Sequence, residues 1–232
     1  MQSPAKPGKK PNLRERVYQM LRERIQMGLI GGNDRLVDHD IARELHVSRM
    51  PVREALMQLK SEGMLEGTAR GFILRRHSLR QINDIFEIRI LLEPHAAALA
   101  TANVGPAFLA RMKSALDAAR QASDRGDWET FMRLNADYRA AWIDNVPNRA
   151  MADAISRFID HAQIVRLMTM QDQTVRGIIL DGMRGLYEAY LSGNADLVRE
   201  RMTTHCRTAA ACYYQCYQRL SGDGAPGPLR RC

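Results

Sequence analysis

Long apolar runs are missing from this chain of 232 residues: no stretch approaches the roughly 18 apolar residues that a membrane span requires. The opening, Met1-Gln-Ser-Pro-Ala-Lys-Pro-Gly-Lys-Lys-Pro, lacks the apolar core of a secretory signal, so a cytoplasmic location without membrane contact is expected. The second half carries no glycine loop for phosphates, no paired carboxylates in a polar setting and no Ser/His/Asp signature beyond chance. No catalytic residue is assigned, and an enzyme is not expected.

The hydrophobic fraction of 45% is ordinary for a globular protein, and the length allows two small domains, each with a core. The formal net charge of +8 is unevenly placed. Residues 1–77 hold 15 Lys and Arg against 9 Asp and Glu, whereas residues 78–232 hold 19 against 17. The N-terminal part, with its Lys9-Lys10 arm, is therefore the part expected to meet a polyanion.

Between Val47 and Leu65 the pattern becomes specific. Ser48 is suited to cap a helix with its hydroxyl, and Pro51 is tolerated within the first turn. Val52, Ala55, Leu56 and Leu59 recur at helical spacing as a buried face, which leaves Arg49, Met50 and Arg53 projecting, and Gly63 ends the helix. Asp38 to His46 reads as a shorter helix packed through Ile41, Ala42 and Leu45, with only Val47 between the two, so together they make a helix-turn-helix. Met64 to Leu74 reads as two strands around a tip at Gly67 to Gly71, a wing with Arg70 near its tip.

A recognition helix places its first residues on base edges, and basic wing residues reach phosphate or the minor groove. Arg49 and Arg53 are the base-contact candidates, because a guanidinium fits guanine O6 and N7 in a bidentate way. Arg43, Ser48, Met50, Pro51, Arg70 and Gly71 complete the expected interface with double-stranded operator DNA. The competing assignment pairs Arg53 with Glu54 or Glu62 and leaves Arg43 and Lys60 to solvate a helix face.

From Val17 to Leu74 the sequence resembles the winged helix-turn-helix domain of the GntR family of bacterial transcription regulators. The resemblance rests on Val17-Tyr-x-x-Leu21-Arg22, Leu36, Ile41-Ala42, Leu45, Val47-Ser48-Arg49-x-Pro51-Val52-Arg53-Glu54-Ala55-Leu56 and Glu62-Gly63. Two positions depart from the family pattern: Gly31 stands for the usual proline and His46 for the usual glycine ending the second helix.

After His77 the strand signals stop. Ser78 with Gln81 makes a capping box for a helix to about residue 102, and further helices are expected at about 106–125, 127–144, 148–172, 174–192 and 195–220, with breaks at Gly126, Val146-Pro147, Gln173 and Gly193-Asn194. The fold class is mainly α: a disordered basic arm (1–12), the winged helix-turn-helix domain (13–76), an all-helical ligand-binding and dimerisation domain (78–221) and a disordered tail (222–232).

The second half resembles the FCD effector domain of the FadR-type branch, in its six-helix, VanR-like variant. The landmarks are Arg89-x-x-x-Glu93-x-x-Ala96-Ala97, Asn135-x-x-Tyr138-Arg139, Glu188-Ala189-x-x-x-Gly193-Asn194 and Met202-x-x-His205. This resemblance implies a ligand chamber and a homodimer. It also implies, for many members, a divalent metal held by one Asp and three His, positions that fall here on Asn135, Arg139, Met183 and His205.

Helical spacing turns all four inward, beside the faces Trp128-Phe131-Tyr138-Trp142, Ile179-Leu186-Tyr190 and Val198-Met202-Ala209-Cys212. Neutral Asn and thioether Met are poor ligands for such a dication, and Arg139 brings a fixed positive charge, so no metal and no cofactor are expected. Arg139 requires a partner. That partner is either a structural carboxylate, with Glu93 the candidate, or a small organic anion, with Arg89 a second contact and Asn135, Met183 and His205 around it.

The resulting expectation is a homodimeric regulator, in the form of a repressor, released from a palindromic operator by that anion. One alternative is a thiol or soft-metal sensor using Cys206, Cys212 and Cys216, with Cys232 an exposed tail thiol. Another is an effector-independent architectural binder, whose chamber would be packed solid with apolar side chains.

Overall fold

The computed structural model describes residues 12–26, 29–31, 34–75, 77–161, 166, 167 and 169–221. These divide into two compact units, one holding 12–25 and 29–75, the other 77–221. The arm expected at 1–11 and the tail at 222–232 lie outside the described residues.

The first unit opens with helix α1 (Leu13–Gln26), whose Val17, Tyr18, Leu21 and Ile25 are buried. Helices α2 (Asp38–Glu44) and α3 (Arg49–Ser61) follow, then an antiparallel hairpin of β1 (Leu65–Thr68) and β2 (Gly71–Leu74). Both helices of the pair stop alike. His46 (φ +53) and Gly63 (φ +79) turn left-handed, and the next residues, Val47 and Met64, send their N–H groups back to the carbonyls of Ala42 and Leu59 at 3.0 Å each. His46 adopts this backbone in spite of its Cβ, which strains the turn.

Three expectations for this unit need correction. Ser48 occupies the N-cap position of α3, but its hydroxyl makes no capping hydrogen bond. The second helix ends at Glu44 rather than His46. The wing tip is only Ala69-Arg70, since Gly67 and Gly71 already belong to paired strands. Leu36 joins the hairpin by exchanging backbone hydrogen bonds with Phe72 at 2.8 and 2.9 Å. Its approach is why residue 71 is glycine: a Cβ there would lie 2.6 Å from the Leu36 carbonyl oxygen.

The second unit is all helical among the described residues: α4 (Leu79–Ala100), a 3-10 turn (Thr101–Asn103), α5 (Pro106–Asp124), α6 (Trp128–Asp144), α7 (Arg149–His161), α8 (Gln173–Ser192) and α9 (Ala195–Ser221). The capping box at the head of α4 is formed, with the Gln81 N–H donating to Ser78 Oγ at 3.3 Å and the Ser78 N–H to Gln81 Oε1 at 3.0 Å. The helix expected at 148–172 is not reproduced as drawn. α7 ends at His161, residues 162–165 are outside the described set, Arg166, Leu167 and Thr169 are helical, and the chain turns at Met170-Gln171. The break therefore precedes Gln173, which starts α8, and Asp172 caps it by accepting from the Thr174 N–H at 2.8 Å.

α4 packs on α7 and α9, α8 on α5 and α9, and α5 on α6. Met112, Phe131, Trp142, Tyr190 and Val198 fill the core. Tyr190 satisfies its hydroxyl on the Ala97 carbonyl at 3.0 Å, which ties α8 to α4 at no polar cost.

Candidate DNA interface and effector cavity

α3 buries Val52, Ala55, Leu56 and Leu59, which turns Arg49, Met50 and Arg53 outward. Arg49, with a side chain 65% exposed, donates through one nitrogen to both carboxylate oxygens of Asp38 at 3.1 and 3.2 Å. The rest of its guanidinium remains available for a base edge. Arg53 makes no ion pair with any described residue. Glu62, the carboxylate weighed against it, accepts instead from the Tyr18 hydroxyl at 2.7 Å and from Gln58 at 3.1 Å.

Arg43 is paired with Asp40, which also receives His39 at 3.0 Å. Arg70 stands exposed at the wing tip, where its backbone N–H donates to Thr68 Oγ1 at 3.3 Å. Ser48 is exposed and Pro51 partly buried in the first turn of α3. The unit thus presents two arginines from one helix, a wing arginine and an exposed methionine, with their backbone fixed by a small core.

In the helical unit the four inward positions come together. Asn135 and Met183 are buried, and the Asn135 amide donates to Met183 Sδ at 3.4 Å while Tyr138 donates to the Met183 carbonyl at 2.6 Å. Arg139 donates to Asn135 Oδ1 at 3.0 Å. His205 lies against α8 so closely that a Cβ on Gly182 would sit 2.2 Å from its Nδ1. Burial, then the Arg139 charge, push its imidazole down to about 4 against the pull of Glu93. His205 is therefore neutral at pH 7.

Asn135, Arg139 and His205 line two adjoining cavities. The larger, about 30 Å³, is also walled by Arg89, Arg166 and Thr169, and has space for one or two waters. The smaller, about 10 Å³, reaches toward Glu93 and Met202.

Glu93, the carboxylate expected for Arg139, belongs to Arg89. Arg89 Nε donates to Glu93 Oε1 at 2.5 Å, both side chains are buried, and the guanidinium sits 5.2 Å above the Phe86 ring. Burial alone would raise the Glu93 carboxyl, but Arg89, helped by Arg139 and His205, holds it below the usual range. The second anionic contact assigned to Arg89 is thus already engaged by a carboxylate of its own helix.

Arg166 was not among the expected site residues. It is buried, donates to the Ile159 carbonyl at 2.5 Å and walls the larger cavity. Its signal was its spacing from Ile159 and Met170, seven before and four after, which places it on an inward stripe. Arg176, equally unexpected, donates to the carbonyls of Met170 and Gln171 at 2.8 and 2.9 Å and braces the turn before α8.

The sequence pattern of the bacterial regulatory proteins of the gntR family matches residues 13–71, and that of the FCD domain matches residues 84–208. The chain belongs to the GntR family. Its FCD domain places it in the FadR-type branch, a family of transcriptional regulators rather than enzymes.

The HTH-type transcriptional regulator McbR of Escherichia coli (strain K12) is 34% identical over 122 residues, 52% of this chain and 55% of that protein, so the match spans about half of that relative's length. The gluconate operon transcriptional repressor of Bacillus subtilis (strain 168) is 29% identical over 181 residues, 78% of this chain and 69% of that one. A solved structure of E. coli McbR/YncC superposes with a TM-score of 0.81 at 24% identity, covering 89% of this chain and 99% of the other, which supports the fold.

As a GntR-family protein the chain carries a DNA-binding domain, and no helix among the described residues is long and apolar enough to cross a membrane. The metal that the FCD resemblance implies for many members does not fit the residues present. Arg139 carries its fixed charge to this position, Met183 Sδ is hydrogen-bonded to Asn135, and His205 is the one ordinary ligand of the four. Among the described residues no group of three His, Cys, Asp or Glu is placed to hold a metal ion.

Proposed function

We propose that this regulator acts as a homodimer in the cytoplasm, binds a palindromic operator through α3 and the wing, and is released from it by a small organic anion held in the FCD cavity without metal. Arg49 and Arg53 read base edges, Arg43, Ser48, Pro51, Arg70 and Gly71 meet the backbone, and Met50 faces the groove. The observation that carries the effector half is the convergence of four polar side chains, Arg139, Asn135, His205 and Arg166, on one cavity whose remaining wall is largely apolar. An architectural binder would fill that space with apolar side chains instead.

The size of the cavity adds a mechanism. An acid of several carbons is too large for about 30 Å³, so its binding parts the walls and favours an opened bundle. The ligand can shift the DNA-bound population only by its preference for that opened state. Thiol sensing fits less well, because burial pushes Cys206 well above the ordinary thiol range and Cys212 upward, leaving them protonated and poor nucleophiles.

The test is operator release by a panel of small carboxylic acids, followed by fluorescence anisotropy. The full-length protein releases its operator with at least one acid, and Arg139→Ala binds the operator normally but no longer responds. An Arg139→Ala protein with a normal response removes the anchor from the proposal.

A further inference from the structure

Six large apolar side chains stand exposed among the described residues, and two of them, Met50 (65%) and Met57 (48%), lie on α3. Being seven apart they share one line along the helix, opposite the buried Val52, Ala55, Leu56 and Leu59. Arg53 flanks that line on the side of Arg49 and Lys60, and Glu54 flanks it on the other. The most outward side chain of the first turn is thus apolar, although it faces solvent and has charged neighbours on both sides.

The first turn of a recognition helix meets base edges in the major groove. The one apolar feature the four bases present there is the C5 methyl of thymine. Methionine suits such a contact, since its thioether is polarizable and its rotatable chain adapts to the position of the methyl. Arg53, one turn on and without an ion pair among the described residues, is placed to take guanine O6 and N7 beside it. Met57 lies about 10 Å further along the axis, beyond the reach of the same base pair.

Resting on the DNA-binding reading above, we infer that Met50 is a specificity-determining residue that packs against a thymine methyl next to a guanine read by Arg53. Each half-site of the operator then contains a thymine that is recognised by its methyl group and not by its hydrogen-bonding edge.

The experiment selects an operator with the full-length protein from a randomised duplex pool, then replaces each thymine in turn by deoxyuridine, which removes only the methyl. The wild type loses about fourfold in affinity at one thymine per half-site, the weight of one buried methyl group. Met50→Ala binds the thymine operator more weakly, does not distinguish uracil from thymine at that position, and keeps the wild-type salt dependence because no phosphate contact is lost. Wild-type affinity untouched by every uracil, or a Met50→Ala protein that retains the full uracil penalty, overturns the inference and leaves DNA binding standing. A pool that yields no preferred sequence overturns both.

Discussion

The arginines of the DNA unit and those of the effector unit differ in what holds them. Arg43 and Arg49 have side chains 77% and 65% exposed and touch carboxylates at the surface, while Arg53 and Arg70 reach into solvent. Arg89 is 8% exposed in its side chain and locked to Glu93, and Arg166 and Arg176 are buried against backbone carbonyls. A surface arginine contributes little to folding and keeps its charge for a ligand. A buried one must be satisfied before the chain can fold, so any role in binding comes through the displacement of a partner. Arg139, partly buried and hydrogen-bonded to Asn135, stands between the two classes.

The largest expected effect lies in the buried set. Glu93→Gln leaves Arg89 without its carboxylate and lowers stability by about 3–5 kcal/mol, read from urea unfolding. A loss under about 1 kcal/mol would mean that the pair is not buried as described.

Arg53→Ala gives the opposite profile. Unfolding stays within about 0.5 kcal/mol of wild type, while operator affinity falls by about 1–3 kcal/mol and specificity relaxes at one base pair. Arg49→Ala behaves likewise, and Asp38 then loses only a surface partner. Near-normal operator binding by both variants would remove the recognition role from α3.

Acid sharpens the same contrast. His205 is held down to about 4 in the fold against about 6.5 in an unfolded chain. Its neutral form is the one the fold tolerates, so stability is complete above about pH 6.5 and declines as pH falls from there toward 4. Glu93, whose carboxyl is also lowered, adds its loss only below the ordinary carboxylate range. Urea midpoints at pH 7.5 and pH 5 therefore separate in the wild type and draw together in His205→Gln. Equal separation in both proteins would contradict the enclosed imidazole.

The smallest effect is local to the DNA unit. His46→Gly relieves the left-handed backbone and raises the stability of the folded chain by about 0.5–1 kcal/mol, with operator affinity unchanged. A destabilised variant would show that the imidazole does more than occupy the turn.

The DNA unit was legible because its information is local. The outward arginines, the buried stripe of α3 and the wing glycines lie within one short stretch, and period alone sorts exposed from buried. The errors there are those of detail: a hydroxyl that does not cap, a helix two residues shorter, a tip of two residues. The effector unit gave up its helices, except the one drawn across 148–172, and the convergence of Asn135, Arg139, Met183 and His205, since each lies on an apolar stripe. Pairing was not legible. Glu93 is four residues from Arg89 on one helix and faces Arg139 from another, and both arrangements satisfy the sequence equally. Only the fold, which gives Glu93 to Arg89 and leaves Arg139 on Asn135 of its own helix α6, decides between them. Arg166 escaped for a related reason, being one charge on a stretch read as a continuous helix, with nothing local to separate a solvated arginine from one that walls a cavity.

The central claim is that an organic anion, and not a metal ion, occupies the FCD cavity of a dimeric regulator. A native mass spectrum of the full-length protein, taken with and without the acid that releases the operator, tests it most directly. The account predicts two copies of the chain, a mass increase equal to one acid per copy that Arg139→Ala abolishes, and no change on treatment with a chelator. One divalent ion per copy, lost with the chelator together with the acid, would contradict it.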